Sequence, residues 1–166
     1  MLLARRHLFV TAVAMATGDA AWAQHTPAAK HDFPDPSLTG PPISWFTNLS
    51  ADEMSWTVDS PGTGRADFVL DRETMKFSWT VTYQKLTSPA VRVAIHGPQT
   101  PGGEAGVLID LGEGGVASPI KGSTIINDGM LRYLVTDRFY LMITTTKNKT
   151  GEIRGQLQRV RPGATQ

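Results

Sequence analysis

The sequence has no cysteine, almost no excess of charge of either sign, and no apolar run long enough to cross a membrane. Without cysteine the 166 residues form neither a disulfide nor a thiolate metal site, so a packed core must supply the stability. Sixteen basic residues against fifteen acidic ones give a net charge of +1, which lacks the basic footprint that phosphate backbones attract. We therefore expect no nucleic acid partner, and no membrane insertion once an N-terminal signal is removed.

Residues 1–23 have the three parts of a secretory signal peptide. Arg5 and Arg6 form the basic start, residues 8–16 are mostly apolar, and Ala21 and Ala23 offer small side chains at the two positions that a signal peptidase reads. Cleavage after Ala23 predicts a periplasmic or secreted protein. Sec export and twin-arginine export both stay open, because two arginines suit either route.

Residues 24–43 are predicted to form a flexible, proline-rich arm. The arm contains five of the eleven prolines, and proline lacks an amide hydrogen and disfavours helix in the residue before it. His25 and His31 lie in this arm, where two imidazoles near a new N-terminus could capture a metal ion such as copper. A solvated polar arm is the simpler interpretation, because no third ligand accompanies them.

Residues 44–160 show the two-residue periodicity of β-strands. Phe77, Trp79 and Val81 alternate with polar residues, which is typical of a half-buried strand. About eight such segments, separated by turns rich in glycine and proline, predict an all-β fold. We expect an antiparallel β-sandwich of immunoglobulin-like or Greek-key type, followed by a tail at residues 161–166.

Two features modify this all-β interpretation only slightly. Residues 128–136 fit either one short helix, for which Asn127 and Asp128 could supply the cap, or a further strand, and the sequence leaves both readings open. Trp56 and Trp79 are interpreted as core side chains, since they fall at strand spacing, in preference to a platform on which a ligand stacks.

Three segments of the second half of the chain carry a family resemblance. They read Val-Arg-Val-Ala-Ile-His-Gly-Pro-Gln-Thr-Pro-Gly-Gly at residues 91–103, Tyr-Leu-Met-Ile-Thr-Thr-Thr at 140–146 and Gly-Glu-Ile-Arg-Gly-Gln-Leu at 151–157. With matching segments from residue 46 onward, their order and spacing resemble the CHRD domain, which is repeated in chordin and found singly in many bacterial secreted proteins. The resemblance implies an extracellular β-sandwich that serves as a scaffold or a ligand-contact unit.

The chain departs from the family pattern at two histidine positions. Members of the family typically carry a His-Ile-His triplet and a further histidine on another strand, and three such nitrogens suit a metal ion. Here Ala94 and Thr144 stand at two of these positions, and His96 alone remains. One imidazole and one hydroxyl are a poor ligand set for zinc or copper, so we expect neither a metal site nor a cofactor.

The first candidate site is a polar cluster of His96, Thr144, Glu152 and Arg154. His96 is expected to be mainly structural, with its ring hydrogen-bonded to a neighbouring strand or to Thr144. Glu152 and Arg154 are two residues apart, which predicts that they share one face of a strand and form a surface ion pair contributing less than about 1 kcal/mol.

The second candidate site is the loop over residues 97–105. Two prolines stiffen this loop and several glycines open it, and rigid loops on a β-scaffold often carry binding residues. A plain turn between two strands explains the same residues equally well. The loop candidates are Gly97, Pro98, Pro101, Gly102 and Gly103.

These observations predict an exported, non-catalytic binding or structural module of the cell envelope, with an unknown protein or a small molecule as its partner. One alternative is a metal-binding or redox protein that uses His96 together with His25 or His31 from the arm. A small hydrolase that uses Glu104 or Glu152 is a third reading. It is the weakest, because neither acid falls in a recognisable catalytic pattern.

Overall fold

The structure is a computed structural model, and it describes residues 40–161. This part of the chain contains nine strands and one helix, and a short 3-10 turn, Ala51–Glu53, follows the first strand. The elements are β1 (Ile43–Ser50), β2 (Thr63–Asp71), β3 (Lys76–Gln84), β4 (Ala90–His96), β5 (Val107–Asp110), β6 (Ile120–Ile125), α1 (Asp128–Leu134), β7 (Tyr140–Thr145), β8 (Ile153–Gln156) and β9 (Gln158–Arg159).

The strands form one antiparallel sheet in the order β5-β4-β7-β8-β1-β2-β3-β6, which curls into a half-barrel. The predicted all-β, antiparallel class is confirmed. One continuous sheet takes the place of two separately hydrogen-bonded layers, because β1 joins both halves. It pairs with β2 along one side and with β8 and β9 along the other.

The concave side of the sheet holds the core, and strand alternation explains why. On β3, Phe77, Trp79 and Val81 are buried, whereas the residues between them are partly exposed. Phe77 stacks on Phe68 of β2 at a ring-centroid distance of 5.4 Å. These side chains sit on one face because successive residues of a strand point to opposite sides. The periodicity of β3 in the sequence is therefore confirmed.

Of the two readings of residues 128–136, the structure shows the helix, α1, and it covers part of the core. The side chain of Asn127 accepts a hydrogen bond of 2.9 Å from the backbone amide of Met130, which caps the helix as expected. Leu131 and Leu134 are buried. The indole Nε1–H of Trp45 donates a hydrogen bond of 3.0 Å to the carbonyl of Leu134, so the helix is tied to β1.

Several predictions concern residues outside the described part of the chain. The signal peptide, the tail from residue 162 and both arm histidines, His25 and His31, lie there. The first strand begins at Ile43, which the sequence assigns to the end of the flexible arm. Between residues 40 and 161, no helix is both long enough and apolar enough to span a membrane.

Candidate functional site

A cleft of about 420 Å³ lies over β7 and β8, on the face of the sheet away from the core. Its floor comes from the side chains of Tyr140, Met142 and Arg154, whereas their neighbours Leu141, Ile143 and Ile153 belong to the core on the other face. Two loops form its walls. The full lining is Met54, Ser55, Trp56, Glu104, Ala105, Tyr140, Met142, Thr150 and Arg154.

The two loops meet across the cleft. One loop follows the 3-10 turn and carries Ser55, and the other precedes β5 and carries Glu104. The Ser55 hydroxyl donates a hydrogen bond of 2.8 Å to Glu104 Oε1. At a third point of the rim, Gly151 has a φ of +138°, and a side chain there would strike Met54 and Met142. The positive φ favours glycine at this position, and any larger residue would also require the two methionine side chains to shift.

A stack of three side chains from three adjacent strands supports the floor of the cleft. The rings of His96 on β4 and Tyr140 on β7 are stacked, with centroids 5.1 Å apart and planes inclined by 16°. The guanidinium carbon of Arg154 on β8 lies 3.7 Å from the centroid of the Tyr140 ring. This distance is well within the range of a cation–π contact.

The backbone of Ala105 fixes the orientation of both rings. Its amide donates to the Tyr140 hydroxyl at 2.9 Å, its carbonyl lies 3.1 Å from that hydroxyl, and the same carbonyl lies 3.0 Å from His96 Nδ1. A carbonyl only accepts, so Nδ1 carries the proton in this contact. Burial lowers the pKa of His96, whereas the hydrogen bond to Ala105 raises it, and the positive charges of Arg92 and Arg154 lower it further. Because the pKa lies below its usual value of 6.5, the ring is neutral at pH 7.

Arg154 is the buried cation of the site. Its side chain is only 2% exposed, and its Nη2 atom has no hydrogen-bond partner within the described residues. No ion pair within residues 40–161 includes it. Burial lowers the pKa of Arg154, whereas Tyr140, Glu53 and Glu104 raise it through their charges. The guanidinium nevertheless stays protonated, because arginine does not lose its proton in proteins.

Glu152 forms a separate cluster outside the lining of the cleft. Its carboxylate is fully buried and accepts hydrogen bonds from Ser60 at 2.7 Å, from Thr145 at 2.6 Å and from Asn148 at 3.0 Å. Thr87 adds its backbone amide at 2.6 Å and its hydroxyl at 2.9 Å. Burial raises the pKa of Glu152, but these donors outweigh burial and lower the pKa to about 2.

The structure thus divides the predicted polar cluster. His96 and Arg154 meet at Tyr140, as neighbours of one stack. The ion pair expected between Glu152 and Arg154 does not form, because β8 begins only at Ile153 and strand alternation does not extend back to residue 152. Thr144 lies opposite Arg92, four residues along β7 from Tyr140 and about 13 Å away at the rise of an extended chain.

The candidate loop over residues 97–105 contributes to the cleft only through its end. Glu104 and Ala105 line the cleft, whereas Gly97, Pro98, Pro101, Gly102 and Gly103 do not. The loop is anchored at its start, where the amide of Gln99 donates to the carbonyl of Arg138 at 2.7 Å. These contacts place the loop beside the cleft as a support for its wall.

Sequence reasoning missed Tyr140 and misassigned Trp56. Trp56 is partly buried and lines the cleft from a loop, so the prediction that it is a core side chain of a strand is wrong. Trp79 is buried in β3, as predicted. One signal was available for Tyr140. It is a large aromatic residue with a polar hydroxyl at the start of a strand, and it points to the face opposite Leu141. Because Leu141 marks the core face, a large side chain on the other face is free to form part of a site.

The three family histidine positions do not fit a metal ion in this chain. Ala94 is fully buried and offers no ligand atom, and Thr144 offers a hydroxyl. His96 is 6% exposed and is packed against Tyr140. Within residues 40–161 no group of three histidine, cysteine or acidic side chains could hold a metal.

Comparison with known proteins bears on the same residues. The family description "CHRD domain" matches residues 45–157, which include most of β1, all of β2 to β8, both loops of the cleft and the whole stack. Neither the curated proteins nor the solved structures gave a match. A family match over more than half of the chain, together with the all-β fold, shows that this protein belongs to the CHRD domain family.

Proposed function

We propose that this protein is an exported, non-catalytic binding module that holds its ligand in the cleft over Tyr140 and Arg154. Membership of the CHRD domain family supports a β-fold binding or structural module. The cleft carries the proposal further. About 420 Å³ is within the range of small-molecule sites, and such sites combine apolar walls with a few fixed polar groups.

The lining of the cleft has this composition. Met54, Trp56 and Met142 supply apolar surface, and methionine side chains adapt to ligands of irregular shape. Tyr140 and Arg154 supply polar atoms held in place by the stack and by Ala105. Because these groups are fixed before a ligand arrives, little conformational entropy is lost on binding.

The same contacts argue against acid–base catalysis by the acids that the sequence offers. A general base works best when its pKa lies near the working pH, and the pKa of Glu152 is lowered to about 2. Glu152 also lies outside the cleft lining and accepts five hydrogen bonds from protein groups. Glu104 lines the cleft, where its carboxylate accepts a hydrogen bond from the hydroxyl of Ser55.

Binding is tested with a panel of small organic fragments, followed by two-dimensional NMR of the exported protein. Ligands that fit the cleft should shift the indole signal of Trp56 and the amide signal of Ala105. The Trp56→Ala variant should weaken these ligands. Tyr133→Ala, at an exposed aromatic residue outside the cleft, is the matched control and should leave binding unchanged. If no fragment shifts the cleft signals, the proposal fails.

Export and the absence of catalysis need their own measurements. The full chain, expressed in a bacterial host, should reach the periplasm or the medium with Gln24 as its first residue. A cytoplasmic protein that still begins at Met1 would contradict export. Turnover in a panel of hydrolase and redox assays, abolished by Glu104→Gln or Glu152→Gln, would contradict a non-catalytic role.

A further inference from the structure

The cleft contains one cation, Arg154, that forms no ion pair within residues 40–161. Arg154 is 2% exposed, and its Nη2 atom lacks a hydrogen-bond partner within the described residues. Buried cations are normally paired, because a charge removed from water and left alone raises the free energy of the fold. The face of the Tyr140 ring, 3.7 Å away, compensates only part of this loss.

None of the acidic groups near Arg154 forms an ion pair with it within residues 40–161. Glu53, on the exposed 3-10 turn, acts on Arg154 only through its charge. Glu104 lines the same cleft but accepts the Ser55 hydroxyl at 2.8 Å, and it forms no ion pair with Arg154. Glu152, two residues away in sequence, is held by hydrogen bonds in its own cluster. The cleft is therefore a site in which an incoming anion meets a fixed guanidinium on a rigid floor.

We propose that the cleft binds a small organic molecule with a single carboxylate, which pairs with Arg154 while its apolar part packs against Met54, Trp56 and Met142. This inference rests on the function proposed above and specifies its ligand class. A planar guanidinium matches a carboxylate through two parallel N–H···O bonds.

The charge of the cleft selects a monoanion. Arg154 and Glu104 are the two formally charged residues in the described lining, and they form no ion pair with each other, so a ligand meets one guanidinium beside one carboxylate. A phosphate monoester carries nearly two negative charges at neutral pH. One guanidinium beside an acidic rim neutralises only part of that charge, so a carboxylate is the better partner.

The test is a titration of the exported protein with four probes that share one ring. Phenylacetate carries the carboxylate, phenylacetamide is its neutral counterpart, phenethylamine is a cation and phenyl phosphate is a dianion. The indole signal of Trp56 reports binding in each case. We expect phenylacetate to bind at least about tenfold more tightly than phenylacetamide, since hydrogen bonds to charged groups are the strong ones. It should also bind more tightly than phenyl phosphate.

Two variants locate the charge that is recognised. Arg154→Met keeps much of the side-chain volume and should remove the preference for phenylacetate over phenylacetamide. Arg65→Met is the matched control, because Arg65 also lies over an aromatic ring, that of Phe46 at 5.1 Å, but outside the cleft. It should leave both affinities unchanged.

Glu104→Gln keeps the inference testable if the Arg154 variant fails to fold. Glu104 is exposed, so its substitution spares the core. Removing its negative charge should strengthen phenylacetate binding about twofold to fivefold relative to phenylacetamide binding. Unchanged or weaker relative binding of phenylacetate in this variant would overturn the inference.

The remaining outcomes separate this inference from the proposed function. Equal affinity for phenylacetate and phenylacetamide overturns the carboxylate assignment but leaves a ligand-binding cleft. Tighter binding of phenethylamine than of phenylacetate also overturns it, because Glu104 would then be the group that recognises charge. If none of the four probes shifts the Trp56 signal, the carboxylate inference fails, and the wider fragment panel still decides the proposed function.

Discussion

The buried carboxylate of Glu152 should make the protein sensitive to acid, and Glu152→Gln should remove that sensitivity. Five hydrogen bonds reach this carboxylate from Ser60, Thr87, Thr145 and Asn148. Thr145 ends β7, and the other three residues lie in three different connections between strands. A glutamine retains the shape but replaces one accepting oxygen with a donor. The backbone amide of Thr87, 2.6 Å away, cannot reverse its direction to suit a donor.

The pKa of Glu152 gives the size of the effect. It falls from 4.5 to about 2 in the folded protein, and each unit corresponds to about 1.4 kcal/mol, so the ionised carboxylate contributes about 3 kcal/mol. Because the folded-state pKa is the lower one, this contribution is complete above the unfolded value near 4.5. It is lost progressively as the pH falls from there towards 2.

Urea denaturation at a series of pH values between 2 and 7 measures this contribution. The free energy of unfolding of the wild type should fall by about 3 kcal/mol more than that of Glu152→Gln across the acid range. Asp67→Asn is the matched control. Asp67 pairs with Arg65 on the exposed face, and its loss should change stability by less than about 1 kcal/mol. If the two proteins keep the same acid slope, the role assigned to the Glu152 cluster is refuted.

Three further predictions concern the fold and the stack. Trp45→Phe removes the indole hydrogen bond to the buried carbonyl of Leu134, which keeps only the backbone amide of Asp137 at 3.2 Å, and should lower the free energy of unfolding by about 1 kcal/mol, measured by urea denaturation. Gly155→Ala places a methyl group against the β1 backbone and should cost more than about 2 kcal/mol, whereas Gly106→Ala, with open space around it, should cost far less in the same assay. The His96 ring should titrate below pH 6.5 in an NMR experiment, because burial lowers its pKa. The stability that the neutral ring contributes is complete above pH 6.5 and declines as the pH falls below that value. A titration midpoint at or above 6.5 would contradict the packing of the ring.

The elements of the fold followed from local patterns of the sequence. Phe77, Trp79 and Val81 indicate a strand because the extended backbone points successive side chains to opposite faces, whichever strand it pairs with. The cap at Asn127 is likewise a local feature that favours α1, because its hydrogen bond joins residues only three apart in the sequence. Local patterns do not show that the strands form one continuous sheet. This depends on the pairing of β1 with β2 on one side and with β8 on the other, which are far apart in the sequence.

The candidate site was predicted only in part, for a related reason. Arg154 and His96 were named from the sequence, but Tyr140 joins them, and this contact depends on the register of three strands. Glu152 was assigned to the wrong partner because alternation was extended one residue beyond the start of β8. Trp56 was assigned to the core because it falls at strand spacing, whereas residues 54–58 form a loop that places it in the cleft.

An open half-barrel also has two ends, and these determine how one molecule meets another. β5 and β6 are the last strands of the sheet order, so each can accept a foreign strand along its free side. β5 is only four residues long, and Lys121 on β6 brings a charge to the other border. Both features discourage edge-to-edge aggregation, so substitutions that extend β5 or neutralise Lys121 would endanger solubility before they disturbed the interior.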